Sequence, residues 1–295
     1  MQLTYFGSNS WFLEVGRVRI LLDPWLVDSL TFGGQRWFFE AVNNYKAPTP
    51  KRVDLILLSQ GLPDHAHRPT LEQLDRAIPV VGSVSAAKVA TELGYLEVTA
   101  LKPGEMVDFG NRLQIRALAG APVPQVENGY LLTQLRDDRK LYYEPHGYVD
   151  PVLADLGPID VVMSPLMDMM LPLSIPVIQG KKTAFGLVEQ LQPRYFFSTA
   201  AGGDVSFSGV LNRMLKNDGT KEELEAQVAA GGYATEVIDA VPGQPYRLDF
   251  KSATSEGTGT TGPLATLNQW VDRAKTASGD LINTAGQSLG LATKS

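Results

Sequence analysis

The sequence contains no cysteine in its 295 residues. Disulfide bonds, thiolate nucleophiles and cysteine-based zinc sites are therefore excluded. Any metal that the chain binds must be held by imidazole, carboxylate or water. Histidine is nearly as rare, with three residues in the whole chain. The position of each histidine therefore carries most of the information about candidate chemistry.

Long apolar runs and an excess of positive charge are also missing. No window of about 18 uninterrupted apolar residues exists, so we expect no membrane-spanning helix. The formal net charge of −6 does not favour a nucleic-acid partner, and we expect none. The first residues, MQLTYFGSNSW, lack a basic segment followed by an apolar one, so we expect no signal peptide and a cytoplasmic location.

The candidate chemical groups lie on two loops, each of which follows a short apolar run. The run Leu55–Leu58 leads into SQGLPDHAH, which carries a carboxylate and two of the three histidines: Asp64, His65 and His67. The run at residues 140–143 leads into EPHG, which carries Glu144 and the third histidine, His146. Loops that follow strands are common places for metal and acid–base chemistry.

The first loop resembles the signature of the metallo-β-lactamase superfamily, whose members carry His-x-His-x-Asp-His after a core strand. Asp64 and His65 match the end of that motif, whereas Gln60 and Leu62 stand where the family has its first two histidines. The resemblance implies a mixed α/β fold, a four-layer αββα sandwich in which two sheets pack face to face between outer helices. It also implies a metal-dependent hydrolase.

The family's second loop and its remaining ligands show which part of the metal site persists. Glu144 stands where the family has a bridging aspartate, so a carboxylate is kept. The histidines that the family carries near residues 120–122 and after residues 195–198 are absent. A dinuclear zinc site is therefore not expected. The resemblance instead predicts one divalent metal, with zinc the first candidate, held by the four remaining groups: Asp64, His65, Glu144 and His146.

Asp64 and His65 are also the predicted catalytic residues, and three further residues are predicted to contact the ligands or the substrate. Asp23, in a Leu-Asp-Pro step, resembles a carboxylate that pins this loop in the family, and a turn-forming role before proline explains it equally well. Gln60 and His67 are the other two. Two alternatives stay open: a metal-free site in which a carboxylate orients a histidine as general base, and a site that has lost its chemistry.

The chain is predicted to have three parts. Residues 1–251 form the metallo-β-lactamase-like domain, in which residues 206–215 are predicted to be helical. Residues 252–263, rich in glycine, serine and threonine, form a flexible linker. Residues 264–295 form a tail whose apolar residues recur at helical spacing, so residues 264–290 are predicted to be an amphipathic helix that contacts a membrane surface, a partner protein or its own domain.

These observations lead to two hypotheses, one in which the protein is an enzyme and one in which it is not. In the first, the chain is a hydrolase-like protein with a remodelled mononuclear metal site that acts on a small ester, lactone, amide or phosphoester. In the second, it is a non-catalytic scaffold or binding protein of the same fold. Its C-terminal helix would then dock to a membrane surface or to a partner protein, and at a membrane the attachment would be peripheral.

We predict that the chain does not hydrolyse β-lactams. The first two histidines of the motif are replaced by Gln60 and Leu62, so water cannot be held between two metal ions. A chromogenic cephalosporin assay with added zinc measures this directly. Efficient, metal-dependent cleavage would show that the motif has been aligned incorrectly.

Overall fold

The computed structural model describes residues 1–122, 125–200 and 202–250. Residues Met1–Asp249 form one compact unit. The predicted linker and helical tail lie outside the described residues. Among the described residues, no helix has both the length and the apolar character needed to cross a bilayer.

The elements are numbered in chain order. The strands of the described residues are β1 (Gln2–Gly7), β2 (Ser10–Val15), β3 (Val18–Leu22), β4 (Leu30–Thr31), β5 (Glu40–Asn43), β6 (Leu55–Leu58), β7 (Val80–Gly82), β8 (Val98–Ala100), β9 (Met106–Phe109), β10 (Leu113–Pro122), β11 (Val126–Gln134), β12 (Arg139–Tyr143), β13 (Val161–Ser164), β14 (Asp168–Leu171), β15 (Ile175–Gln179), β16 (Tyr195–Ser198), β17 (Val205–Ser208), β18 (Lys216–Asp218), β19 (Glu236–Ile238) and β20 (Pro245–Arg247). The helices are α1 (Arg68–Gln73), α2 (Val84–Glu92), α3 (Gly180–Leu191), α4 (Val210–Met214) and α5 (Lys221–Ala230).

Two seven-stranded sheets make up the body of the domain. The first has the strand order β20-β1-β2-β3-β6-β7-β8, and the second has the order β19-β16-β13-β12-β11-β10-β9. In the first sheet the run from β3 through β6 and β7 to β8 is parallel. In the second, β12, β13, β16 and β19 are parallel. The carboxyl ends of parallel neighbours lie at one edge of a sheet, where sites are usually built.

The four apolar residues of β6 explain why this strand is central. All four are fully buried, as expected for a parallel strand that is covered on both faces. Ile56 and Leu58 pack in a core cluster with residues of α1 and α2, such as Leu71 and Val89. These two helices therefore cover the outer face of the first sheet.

The other faces of the two sheets pack against each other. Trp11 of β2 meets Phe197 of β16 edge-on, with ring centroids 5.9 Å apart. The Tyr130 hydroxyl of β11 donates a hydrogen bond to the Leu58 carbonyl of β6 at 2.8 Å. Helices α3 and α5 cover the outer face of the second sheet through residues such as Leu187. The predicted αββα sandwich is confirmed.

The prediction of one helix over residues 206–215 is wrong. The segment contains most of strand β17 and, after it, the short helix α4. Strand β17 pairs with β5, and together with β4 they form a small three-stranded sheet. Gly209 separates them with a φ of +99°, and a Cβ there would lie 2.6 Å from the Phe38 carbonyl oxygen. The strand forms because a distant partner, β5, is available, which local periodicity does not indicate.

We predict that Leu57→Ala in β6 lowers the free energy of unfolding by about 2–5 kcal/mol, because it removes buried methyl groups and leaves a cavity. Leu96→Ala is the matched control, because Leu96 is 77% exposed. Its cost should stay within about 0.5 kcal/mol. Urea denaturation followed by circular dichroism measures both. Equal destabilisation by the two variants would contradict this assignment of the core.

Candidate metal centre

The candidate site lies where strand ends of the two sheets meet. Asp23 directly follows β3, Ser59 follows β6, and Glu144 follows β12. The loop after β12 needs glycine at position 147, where φ is +78° and an added Cβ would collide with the Gln179 carbonyl. The backbone N–H of Gln179 donates a hydrogen bond to the backbone carbonyl of His146 at 2.8 Å, which holds the loop in place further. Local chain geometry therefore sets the position of His146.

The Asp23 carboxylate holds this region together. It is fully buried, and Oδ1 accepts a hydrogen bond from the Ser59 amide at 2.7 Å. Oδ2 accepts from the Tyr143 hydroxyl at 2.7 Å, from the Ser59 hydroxyl, and from His65 Nδ1 at 2.8 Å. One carboxylate thus connects the ends of three strands from both sheets. The structure therefore places Asp23 behind His65, between the loops that follow β6 and β12.

The His65 ring is oriented by that contact. It is fully buried, and its Nδ1 donates to Asp23, which leaves Nε2 facing the opposite side. There Nε2 lies 3.2 Å from Asp64 Oδ2 and 3.4 Å from Asn9 Nδ2. A carboxylate that holds the far nitrogen of a metal-binding histidine is a recurrent feature of metal sites. Nε2 is therefore the ring nitrogen of His65 that would coordinate a metal ion.

Three of the predicted ligands come together around this nitrogen. One ligand atom each from Asp64, His65 and His146 lies within 4.8 Å of the others. The His65 and His146 rings are 5.0 Å apart between centroids. Neighbouring ligands around one zinc-sized ion are roughly 3.3 Å apart for bonds of about 2.0 Å. The ligand atoms are spaced up to about 1.5 Å wider than this, so the three side chains would draw together around a single ion.

The fourth predicted ligand, Glu144, lies at the edge of the cluster. Its Oε2 accepts hydrogen bonds from the His146 and Tyr148 amides at 3.0 and 2.7 Å. Its Oε1 lies 4.0 Å from His146 Nδ1. Gln60 stands on the same side, with Nε2 at 3.2 Å from His146 Nδ1. Both residues are almost completely buried.

The carboxylates beside His65 stabilise a positive charge, here the proton on the His65 ring, which a metal ion would displace from Nε2. Burial lowers the pKa of His65, but the carboxylates of Asp64 and Asp23 outweigh it and raise that pKa to about 10. Burial raises the pKa of Asp64, but the charge of His65 outweighs it and lowers that pKa below its usual value. Burial, followed by the charge of His65, lowers the pKa of His146 to about 3. Burial raises the pKa of Glu144 to about 7.

The residues present fit a divalent metal. Among the described residues, the buried side-chain atoms without a hydrogen-bond partner are four oxygens, and three of them belong to residues of this cluster or beside it: Gln60 Oε1, Asp64 Oδ1 and Glu144 Oε1. Buried oxygens without a donor are costly and usually mark an ion or a water. The neutral His146 and the oriented His65 add nitrogen donors.

His67 is not part of the cluster. Its Nδ1 lies 3.0 Å from the Thr70 hydroxyl, and its ring meets Trp25 edge-on. The Thr70 hydroxyl in turn accepts the Leu26 amide at 2.9 Å. Burial lowers the pKa of His67 to about 4, so the ring is neutral. His67 connects the segment after Asp23 to helix α1 and does not face the candidate ligands.

Three residues around the site were not identified from the sequence: Asn9, Ser59 and Tyr143. Asn9 Nδ2 lies near Nε2 of His65, while Ser59 and Tyr143 donate hydrogen bonds to the Asp23 carboxylate. Ser59 directly follows an apolar strand and Tyr143 ends another, both beside motif residues, which is the one indication that the sequence offers. The position of Asn9 in an ordinary turn gives none.

The fold and the strand-end site define a metallo-β-lactamase-type protein. Residues 2–200 match the protein family described as the beta-lactamase superfamily domain. The chain belongs to that superfamily. Over 113 residues it is 30% identical to a UPF0173 metal-dependent hydrolase from Halobacterium salinarum. That match covers 38% of this chain and 40% of the relative's length.

Solved structures with low identity show the same fold. An isothiocyanate hydrolase from Delia radicum gut bacteria aligns with a TM-score of 0.61 at 16% identity, over 84% of this chain and 99% of that chain. A metallo hydrolase from the archaeon Ignicoccus hospitalis aligns with a TM-score of 0.60 at 15% identity, over 85% and 99%. At these identities the likeness concerns the fold alone.

We predict that Asp23→Ala lowers the free energy of unfolding by about 3–5 kcal/mol, because it leaves His65, Ser59 and Tyr143 buried without their shared acceptor. Asp108→Ala is the matched control. Asp108 is exposed and accepts one hydrogen bond, from Gln114, and its loss should cost within about 0.5 kcal/mol. Guanidinium titrations measure the difference, and a wild-type midpoint for Asp23→Ala would contradict the central role of this carboxylate.

Proposed function

We propose that this chain is a metal-dependent hydrolase that uses one divalent metal held by Asp64, His65 and His146. The observation that carries the proposal is the convergence of these three ligand atoms within 4.8 Å, beside the buried Asp23 that orients His65. The metal-dependent hydrolases among its relatives support the reaction class.

The chain's own residues have distinct tasks in this proposal. Asp23 keeps the Nδ1 proton of His65, so that Nε2 is the nitrogen that would bind the metal in exchange for its own proton. His146 is neutral and offers a lone pair, and Asp64 offers a carboxylate oxygen. A divalent metal in such a site supplies Lewis acidity and lowers the pKa of water to about 7. Asn9, near His65 Nε2, is placed to hydrogen-bond a substrate oxygen or a water.

The small exposed area of the site favours a small substrate. The side chains of Asp64 and His146 are 22% and 12% exposed, whereas Gln60, His65 and Glu144 are almost completely closed to solvent. A short ester, lactone, amide or phosphoester suits such an opening better than a polymer. A carbonyl or phosphoryl oxygen is the group that a single Lewis acid activates.

A non-catalytic scaffold is the second candidate. Leu62 offers no donor where the resembling family has a histidine, and the direct contact between Asp64 and His65 balances charge without a metal. In that case the site is a structural ion pair, and docking through residues 264–290 to a membrane or partner supplies the function.

Metal stoichiometry distinguishes the two candidates. We predict close to one divalent metal ion per chain in protein purified without added metal, measured by inductively coupled plasma mass spectrometry. His146→Ala should remove most of that metal while the protein stays folded, because it deletes one of three ligands. His67→Ala is the matched control and should keep the wild-type content, because His67 faces Thr70 and Trp25.

An assay with small ester, lactone, amide and phosphoester panels follows the metal analysis. Chelation should abolish hydrolysis, and restoring the metal should recover it. A wild-type protein that stays metal-free after incubation with divalent ions would reject the hydrolase proposal in favour of the scaffold. Equal metal loss in the His146 and His67 variants would place the metal elsewhere.

A further inference from the structure

Five large apolar side chains lie exposed beside one another on one part of the domain. They come from the segment between β4 and β5, from β17 and from α4, and each is between 37% and 67% exposed: Trp37, Phe38, Phe207, Val210 and Met214. These five residues are called the apolar surface below. Single exposed apolar residues are normal, whereas a group of neighbours marks a surface that another molecule covers.

Backbone contacts make the apolar surface continuous. The Val210 and Leu211 amides donate hydrogen bonds to the Trp37 and Phe38 carbonyls at 3.1 and 2.9 Å. The rings of Trp37 and Phe38 meet edge-on, with centroids 5.9 Å apart. Met214 follows Val210 by four residues in α4, so the two side chains lie on the same face of that helix.

The turn that carries Trp37 projects into solvent. Gly33 and Gly34 both have positive φ, and no described atom lies within 4 Å of the position that a Cβ would take on either residue. Gln35 closes the turn, because its carbonyl accepts the Phe38 amide at 3.0 Å and its side chain accepts the Trp37 indole N–H at 2.8 Å. The polar group of the indole is thus satisfied within the turn, and the ring can enter an apolar phase.

The charges beside the apolar surface are positive. Residues 205–217 contain two exposed cations, Arg213 and Lys216, and no acidic residue. Arg36, in the projecting turn, lies 3.5 Å from Glu40, but the Arg36 side chain is 75% exposed and that of Glu40 only 21%. The whole chain carries a net charge of −6, so this positive character is local.

We propose that the apolar surface docks the domain onto an anionic lipid bilayer. The aromatic rings lie at the level of the headgroups, where tryptophan is favoured, and the three neighbouring cations face the lipid phosphates. A fluid lipid interface needs no complementary groove, so it suits a projecting turn better than a rigid protein partner does. The contact belongs to the domain itself, needs no metal and does not involve the predicted tail helix.

The docked surface is firmly attached to the body of the domain. The small sheet of β4, β5 and β17 packs on the turn between β1 and β2, where Asn43 Nδ2 donates to the Phe6 carbonyl at 2.7 Å. The Ser8 amide donates to the Gly202 carbonyl at 3.1 Å. The same turn carries Asn9, beside the candidate metal centre. Docking therefore fixes the orientation of this turn relative to the bilayer.

The test is co-sedimentation of the full chain with phosphatidylcholine vesicles, prepared with and without phosphatidylglycerol. The wild type should bind the anionic vesicles, and less so at high salt. The double variant Trp37→Ala with Met214→Gln should lower the partition coefficient by about tenfold or more. Arg213→Glu should lower binding to anionic vesicles by about tenfold and leave binding to neutral ones nearly unchanged. Leu96→Ala, at an exposed apolar residue elsewhere, is the matched control and should bind like the wild type.

Absence of wild-type binding to anionic vesicles overturns the proposal, and so does equal binding by the wild type and the double variant. Loss of binding in Trp270→Ala but not in the double variant assigns the contact to the predicted tail and overturns it as well. A dimer that the double variant loses in sedimentation velocity without vesicles assigns the surface to a second copy, with the same consequence. Metal content should be unchanged in every variant, so these outcomes leave the hydrolase proposal standing.

Discussion

The buried Asp23 carboxylate is the contact on which the rest of the site depends. A carboxylate with no exposure must have its oxygens satisfied, and here the donors come from the ends of strands in both sheets. Ser59 and His65 lie in the loop after β6 of the first sheet, and Tyr143 ends β12 of the second sheet. The same carboxylate therefore connects the two sheets and sets the orientation of the His65 ring.

That constraint gives the candidate metal site its position. Asp64 and His65 come from the loop after β6, and His146 comes from the loop after β12, so the ligands meet only when the two sheets are packed together. A metal bound there would stabilise the folded state over the unfolded chain, because the ligand set does not exist before the sheets meet. Packing and chemistry are thus coupled at one edge of the sandwich.

The four-layer αββα sandwich could be predicted because the sequence features that indicate it are local. Leu55–Leu58 is apolar throughout, and the Asp-His pair after it resembles one family's motif. The same loops led to Asp64, His65 and His146, which the structure places together. Tyr143 and Asn9 were missed because their partners are distant: Tyr143 contacts a carboxylate 120 positions away. Strand β17 was missed for the same reason, since its pairing partner β5 lies far back in the chain.

The most direct test of the proposed site is the anomalous scattering of crystals of the full chain, grown with Zn²⁺ or with Mn²⁺ and measured at the absorption edge of the added metal. With at least one of these metals we predict one strong anomalous peak in each molecule, between the side chains of Asp64, His65 and His146. Absence of a peak there with both metals, or a strong peak at another place in the molecule, would contradict this prediction.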